Sequence, residues 1–169
     1  MRVQEITSYL EMTEPGQLRP VHLDGNHVEV RRASVPCPEL NRFFYVTVGE
    51  AWCWVDRLSW SLEQWREYVS QPDLETWLLF VGGTPSGYFE LKGRWGSDIE
   101  IAYFGLLPQF IGQRLGGYLL TAAAGRAWEK GASRVWLHTS SFDHPVALAN
   151  YQARGFRLYR EEKTFKDLR

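Results

Sequence analysis

Cysteine is nearly absent from this sequence: Cys37 and Cys53 are the only two in 169 residues. They match no metal-ligand spacing and cannot staple a disulfide framework, so an apolar core must carry the fold and a reducing compartment is expected. No metal is expected either. No run approaches the ~18 apolar residues of a membrane span, and Met1–Leu10 carries Arg2, Gln4 and Glu5 where a signal peptide would be apolar. These gaps predict a cytoplasmic protein. Neither sign of charge is in surplus, since 19 Lys and Arg stand against 20 Asp and Glu. That balance removes the electrostatic footprint of a nucleic-acid binder or of a partner for acidic membranes.

A local absence is more informative. Between Ile101 and Trp128 there is no Asp or Glu, although this stretch crosses a glycine-bearing turn and enters a helical pattern. The first turn of a helix normally welcomes acids, because its free N–H groups and dipole are positive. No Ser, Thr, Asp or Asn stands at the entry to cap those groups. Glycines at 112, 116 and 117 keep the approach clear of side chains. Strand, glycine turn and uncapped helix start make an anion site of the kind that holds phosphate or pyrophosphate on backbone amides. A nucleotide phosphate loop would need Lys and Ser or Thr after its glycines, but Gln113 and Arg114 follow Gly112. A dinucleotide fingerprint would come early in a strand-helix repeat, and this turn comes late.

The remaining chain supplies hairpins and short helices. Strands are expected over 3–12 and 28–33, the two pairing across Gly25-Asn26, with helices over 38–48 and, behind the capping pair Ser61 and Gln64, to about Val69. Residues 76–81 and 86–91 flank Gly82-Gly83-Thr84-Pro85 as a hairpin, and 98–107 makes a third strand. A helix from about Gly112 to Glu129 ends at Gly131. A strand at 134–139, parallel to 98–107, a short helix over 146–153 and a last strand over 156–165 complete the chain. The order predicts one α+β (mixed α/β) domain over residues 1–169, with a mixed central sheet of six to seven strands and four helices. Eight tryptophans exceed the needs of a small core, and Trp52, Trp54 and Trp60, with Arg57, are candidates for lining an acceptor pocket.

Two motifs give a resemblance. Gln109-Phe-Ile-Gly112-Gln-Arg114, with Gly116 and Gly117 following, and the short helix Ala147-Leu-Ala-Asn-Tyr151-Gln-Ala-Arg-Gly155-Phe156 occur in the order and spacing of the GNAT superfamily of acyl-CoA dependent N-acetyltransferases. The chain resembles that family from about Val28 to Phe165. Arg114 stands where a small residue is usual, and His144 stands seven residues before Tyr151, where many members have Asn.

The resemblance implies a sheet splayed between the 98–107 and 134–139 strands, with acetyl-CoA as acyl donor. Gln109, Gly112, Gln113 and Arg114, then Leu115, Gly116 and Gly117, would surround its diphosphate. Leu106 or Leu107 would lend a main-chain N–H to the thioester oxygen, with His144 and Asn150 beside the pantetheine arm. Tyr151 is the candidate acid for the leaving thiolate, since a phenol of pKa ~10 stays protonated at neutral pH. Glu100 is the candidate base, with Asp98 less well placed and His138 as its substitute. The partner would be a small-molecule or peptide amine, attacked directly in a ternary complex, and a homodimer is left open.

Other readings are weaker. Asp143-His144 beside Ser140 and Ser141 lacks the glycine elbow of a hydrolase, and Cys53 has no basic partner in sequence for a covalent route. A non-catalytic acyl-CoA sensor and a general phosphate-ligand domain are the alternatives in function.

Overall fold

The computed structural model describes residues 1–25 and 27–167. Its elements run β1 (Arg2–Met12), β2 (Val28–Arg32), α1 (Pro38–Gly49), α2 (Leu62–Val69), β3 (Leu74–Val81), β4 (Thr84–Lys92), β5 (Asp98–Leu106), α3 (Leu115–Glu129), β6 (Arg134–Ser140), α4 (Ala147–Ala153) and β7 (Arg157–Asp167). The strands form a single seven-stranded sheet in the order β2-β3-β4-β5-β6-β1-β7. The two glycines between β3 and β4, both at positive φ (56° and 79°), make the tight hairpin that the sequence predicts. α2 begins on the expected reciprocal cap, Ser61 accepting from Gln64 N–H while the Gln64 side chain accepts from Ser61 N–H.

Alternation along β3 and β4 divides the core. Leu79, Phe89 and Leu91 pack on one face with Leu119, Ala123 and Ala127 of α3, while Leu78 and Tyr88, each one residue away, pack with Phe44 and Val48 of α1 on the other. α3 is held in place by charge as well as by burial. Glu75, only 3% exposed, accepts from Arg126 Nε and Nη2 and from Trp77 Nε1, and lies 3.5 Å from Lys130 Nζ. Burial alone would raise this carboxyl, but the Arg126 and Trp77 hydrogen bonds and the Lys130 and Arg32 charges outweigh it and hold Glu75 down at about 2. On the opposite face Glu90 accepts from Asn41 Nδ2 and lies 3.5 Å from Arg57, whose guanidinium sits 4.0 Å from the Tyr68 ring centre and 4.2 Å from that of Tyr103.

The sheet opens in its middle. β5 and β6 are parallel but pair only over Asp98–Arg134, Ile99–Val135 and Glu100–Trp136, and beyond Glu100 the two strands diverge. A bulge between Glu90 and Leu91 of β4 places Ala102 of β5 outside the register, so Glu100 and Tyr103 keep to one face.

Two expectations fail. β1 does not pair with β2: it runs between β6 and β7, while β2 lies against β3 at the far edge. Hydrophobic alternation says that a strand exists but not which partner it finds. Of the supposed link between them, Asn26 lies outside the described residues. The helix expected from Gly112 begins instead at Leu115, because Gly112 (φ 87°) and Arg114 (φ 62°) are left-handed and cannot belong to an α-helix.

Candidate active site

The opening between β5 and β6 leads into two cavities. One, of about 460 Å³, lies between the end of β5, the start of α3 and α4, and is lined by Leu106, Gly112, Arg114, Gly116, His144 and Asn150, among others. The other, of about 410 Å³, lies on the side of β1, β6 and the segment after α1, with Glu5, Tyr9, Asp56, Tyr103 and His138 in its wall. Trp52, Trp54, Phe104, Asp143 and Tyr151 line both. The cavities therefore meet at these five side chains.

At the start of α3 the first cavity is faced by main chain. No side chain caps α3 and no acid occupies its first turn. Its first intrahelical bond runs from Tyr118 N to Arg114 O at 3.3 Å, so the N–H groups of Leu115, Gly116 and Gly117 precede the ladder and carry the positive end of the dipole. Arg114 adds a cationic side chain at the same mouth, at the cost of about 1–2 kcal/mol for a non-glycine left-handed residue. These groups fit a diphosphate.

Along β5, Leu107 N–H donates to Ser86 O at 2.8 Å. Its amide is thus engaged and cannot serve the thioester oxygen. Antiparallel pairing alternates the amides, so with Leu107 turned to β4 and Leu106 paired opposite Gly87, the Leu106 N–H faces the splay. Other expected contacts also move away. Leu115 is buried in the core at 3% exposure, Gln109 is an exposed residue of the 3-10 turn Pro108–Phe110, and the Gln113 side chain donates back to Gln109 O at 3.2 Å. None of these side chains lines either cavity. The glycine spacing marks the turn correctly, but with positive φ at Gly112 and Arg114 the Gln113 between them folds its side chain back on Gln109 O.

Tyr151 is wedged between Phe104 and Phe156, with ring centres 6.1 and 6.4 Å away. Burial, and then the Asp143 carboxylate, push its hydroxyl well above the ordinary tyrosine value. Asp143 is held by three donors: Trp54 Nε1 at 3.1 Å, Ser140 N at 2.8 Å and Thr139 Oγ1 at 2.5 Å. It ties the post-α1 segment to the end of β6 across the junction. Gly49 permits this, since a Cβ there would meet the Trp54 side chain at 2.4 Å.

Glu100 lies where β5 and β6 still pair and lines neither cavity, but its Oε1 is 3.9 Å from Nε2 of His138, which does. Desolvation raises the Glu100 carboxyl above the usual range, with His138, Lys92 and Arg57 pulling it part of the way back. Trp52 and Trp54 line both cavities. Arg57 and Trp60 do not, because Arg57 is drawn into the aromatic box over Glu90 and Trp60 packs on its guanidinium at 4.6 Å. Asp98 bonds Arg134 and Ser133 at the closed end of the strand.

A model of the acetyltransferase (GNAT) family matches residues 36–156. The chain belongs to that family. Its fold is similar to a GCN5-related N-acetyltransferase from Kribbella flavida (19% identity, TM-score 0.65, covering 95% of this chain and 56% of that one). Another from Sphaerobacter thermophilus has 19% identity and a TM-score of 0.70, over 98% and 51%. An aminoglycoside acetyltransferase from an uncultured soil metagenomic sample, in complex with trehalose, has 17% identity and a TM-score of 0.58, over 76% and 87%. The chain thus spans little more than half the length of the first two. No curated protein matches it. Seen as a GNAT chain, its glycine turn, splayed strands and Tyr151 helix fall within one family architecture. Among the described residues no helix is long and apolar enough to cross a membrane, and no three His, Cys, Asp or Glu side chains gather for a metal.

Proposed function

We propose that residues 1–169 form one domain that transfers an acetyl group from acetyl-CoA to a primary amine of a small molecule or peptide, with both substrates bound together. The observation that carries this reading is the meeting of the two cavities at Tyr151 and Asp143. One cavity offers backbone N–H groups and a cation at the start of α3, the other an aromatic and acidic wall, and the five shared side chains are where a group would pass between them. Acetyl-CoA, when bound, supplies the activated acetyl group.

The chain's own residues divide the remaining work. The N–H groups of Leu115, Gly116 and Gly117, with Arg114, would hold the diphosphate. His144 and Asn150 would flank the pantetheine arm. Leu106 N–H faces the splay and would donate to the thioester oxygen as charge grows on it. Tyr151 Oη is taken by no other group among the described residues and keeps its proton through the working pH range, so it would hold the proton that a departing thiolate takes up. His138, backed by Glu100, faces the acceptor side and would accept the proton that an alkylammonium must lose. Cys53 also lines the acceptor cavity, but no base is bonded to its thiol among the described residues, which supports direct transfer over an acetyl-cysteine route.

The test is acyl-CoA dependent thiol release with the full chain and a broad panel of primary amines. Amine-dependent release, with Cys53→Ala retaining it, is the expected result. Measured acetyl-CoA binding without release for any amine would instead leave a non-catalytic acyl-CoA sensor.

A further inference from the structure

The acceptor cavity has the chemistry of one kind of amine. Its walls include Tyr9, Tyr45, Trp54, Tyr103 and Phe165, and the ring centres of Trp54 and Tyr103 lie 5.1 Å apart, those of Tyr45 and Tyr103 5.4 Å and those of Tyr45 and Trp54 5.6 Å. Three rings in mutual contact, tilted or edge-to-face at 42° to 74°, make a continuous aromatic wall. Its carboxylates Glu5, Asp56 and Asp143 outnumber its one lysine, Lys166, so the cavity attracts a cation and repels an acid.

Two of the wall's three carboxylates and its Tyr45 hydroxyl are already engaged, while Asp56, among the described residues, is not. Asp143 is held by Trp54, Thr139 and Ser140. Glu5 Oε1 accepts from Ser140 Oγ at 2.6 Å, and the Tyr45 hydroxyl accepts from Arg57 N at 3.1 Å. A polyhydroxylated amino sugar brings many donors and acceptors, each of which loses water on entry and must find a partner there. A ring-sized apolar body brings none. It would bury its faces on the tyrosines and tryptophan, while its ammonium meets the carboxylates and the π-faces.

We propose that the acceptor is a small arylalkylamine, a primary ammonium on a short chain attached to a flat apolar ring. This rests on the transferase reading above but concerns the cavity itself, so it can be tested without turnover. The first measurement is kcat/KM for acetyl transfer to 2-phenylethylamine and tryptamine against spermidine, kanamycin and L-glutamate. The expected advantage for the aryl amines is about tenfold or more, the usual discrimination of an apolar pocket. The second is equilibrium binding of trimethyl(2-phenylethyl)ammonium, which cannot be acetylated, read by tryptophan fluorescence without acetyl-CoA.

Phe165→Ser serves as the variant, since Phe165 is 61% exposed on β7 and its loss should leave the fold intact. It should weaken aryl binding by about three- to tenfold, while spermidine and kanamycin are unaffected. Faster transfer to spermidine or kanamycin, or no binding of the trimethyl probe, would overturn the arylalkylamine proposal and leave the transferase standing. Probe binding that Phe165→Ser weakens, with no thiol release from any amine, would uphold the proposal for the cavity and remove the transferase.

Discussion

At the mouth of α3 the first cavity is faced by the glycines and free amides of the turn at 112–117, with side chains of α4 and the post-α1 segment along the rest of it, whereas on the other side of Tyr151 the second is walled by side chains from β1, β5, β6, β7 and the segment after α1. A site made of main chain is fixed once the fold is fixed, and only an added Cβ or a changed φ can spoil it. A site made of side chains can be redrawn one substitution at a time without moving the sheet. The first arrangement suits a constant donor and the second a variable acceptor.

Tyr151→Phe makes the sharpest test, because Tyr151 belongs to both sides. If its hydroxyl gives up a proton where the cavities meet, kcat should fall by about 10²–10⁴-fold with both KM values near their original level. Steady-state kinetics with each substrate varied in turn would show it. Full turnover in the variant would mean that the two sides meet without Tyr151 acting between them.

Gly116→Val should separate the sides. A Cβ at Gly116 would lie 3.6 Å from Asn150 Nδ2 and 3.9 Å from Leu106 Cδ1, ordinary contacts that the fold can accept. The valine methyls would nonetheless stand before the free amides. Losing one or two hydrogen bonds to a charged group costs about 1.5–3 kcal/mol, so KM for acetyl-CoA should rise roughly 10- to 100-fold. KM for the amine and the melting temperature should stay near the parent's. An equal rise in both KM values would show that the mouth of α3 is not a separate donor site.

The two sides were unequally legible in the sequence for the same reason. Glycines at 112, 116 and 117, and the lack of any acid from Ile101 to Trp128, are local signals. They marked the turn before any fold was known, although the left-handed Arg114 moved the helix start to Leu115 and the Gln113 side chain folds back on Gln109 O. The acceptor side has no local signal. Tyr9 and His138 come together, 5.6 Å between ring centres, only because β1 pairs with β6, a pairing that alternation could not specify. Arg57 was misread because the buried Glu90 that claims it lies 33 residues away. The hydrogen bond that Trp54 donates to Asp143 likewise spans 89 residues.

Glu100→Gln probes the acceptor side through pH. Glu100 supports His138 only when ionised, and desolvation raises its carboxyl above the ordinary 4.5. Activity should therefore fall as pH drops through a value above the usual carboxylate range. In the glutamine variant the carboxylate's contribution to that limb should be lost from the kcat/KM profile. The rate at neutral pH should drop by about tenfold, less than the ~10²–10⁴-fold of a direct base, because Glu100 acts through His138. An unchanged acidic limb would assign the proton to water or to His138 alone.

Trp54→Phe gives the smallest change and the closest test of the shared wall. Phenylalanine keeps an aromatic face toward Tyr45 and Tyr103 but removes the Nε1–H that reaches Asp143. One hydrogen bond at a partly buried site is worth about 1 kcal/mol, which corresponds to roughly a fivefold effect. Asp143 keeps its other two donors, so the loop should remain folded while the bridge from the post-α1 segment to β6 loosens. Because Trp54 lines both cavities, KM for acetyl-CoA and KM for the amine should rise together, by similar factors. A rise confined to the amine would make Trp54 an acceptor-side residue only, and the boundary between the two sides would then lie at Tyr151 and Phe104.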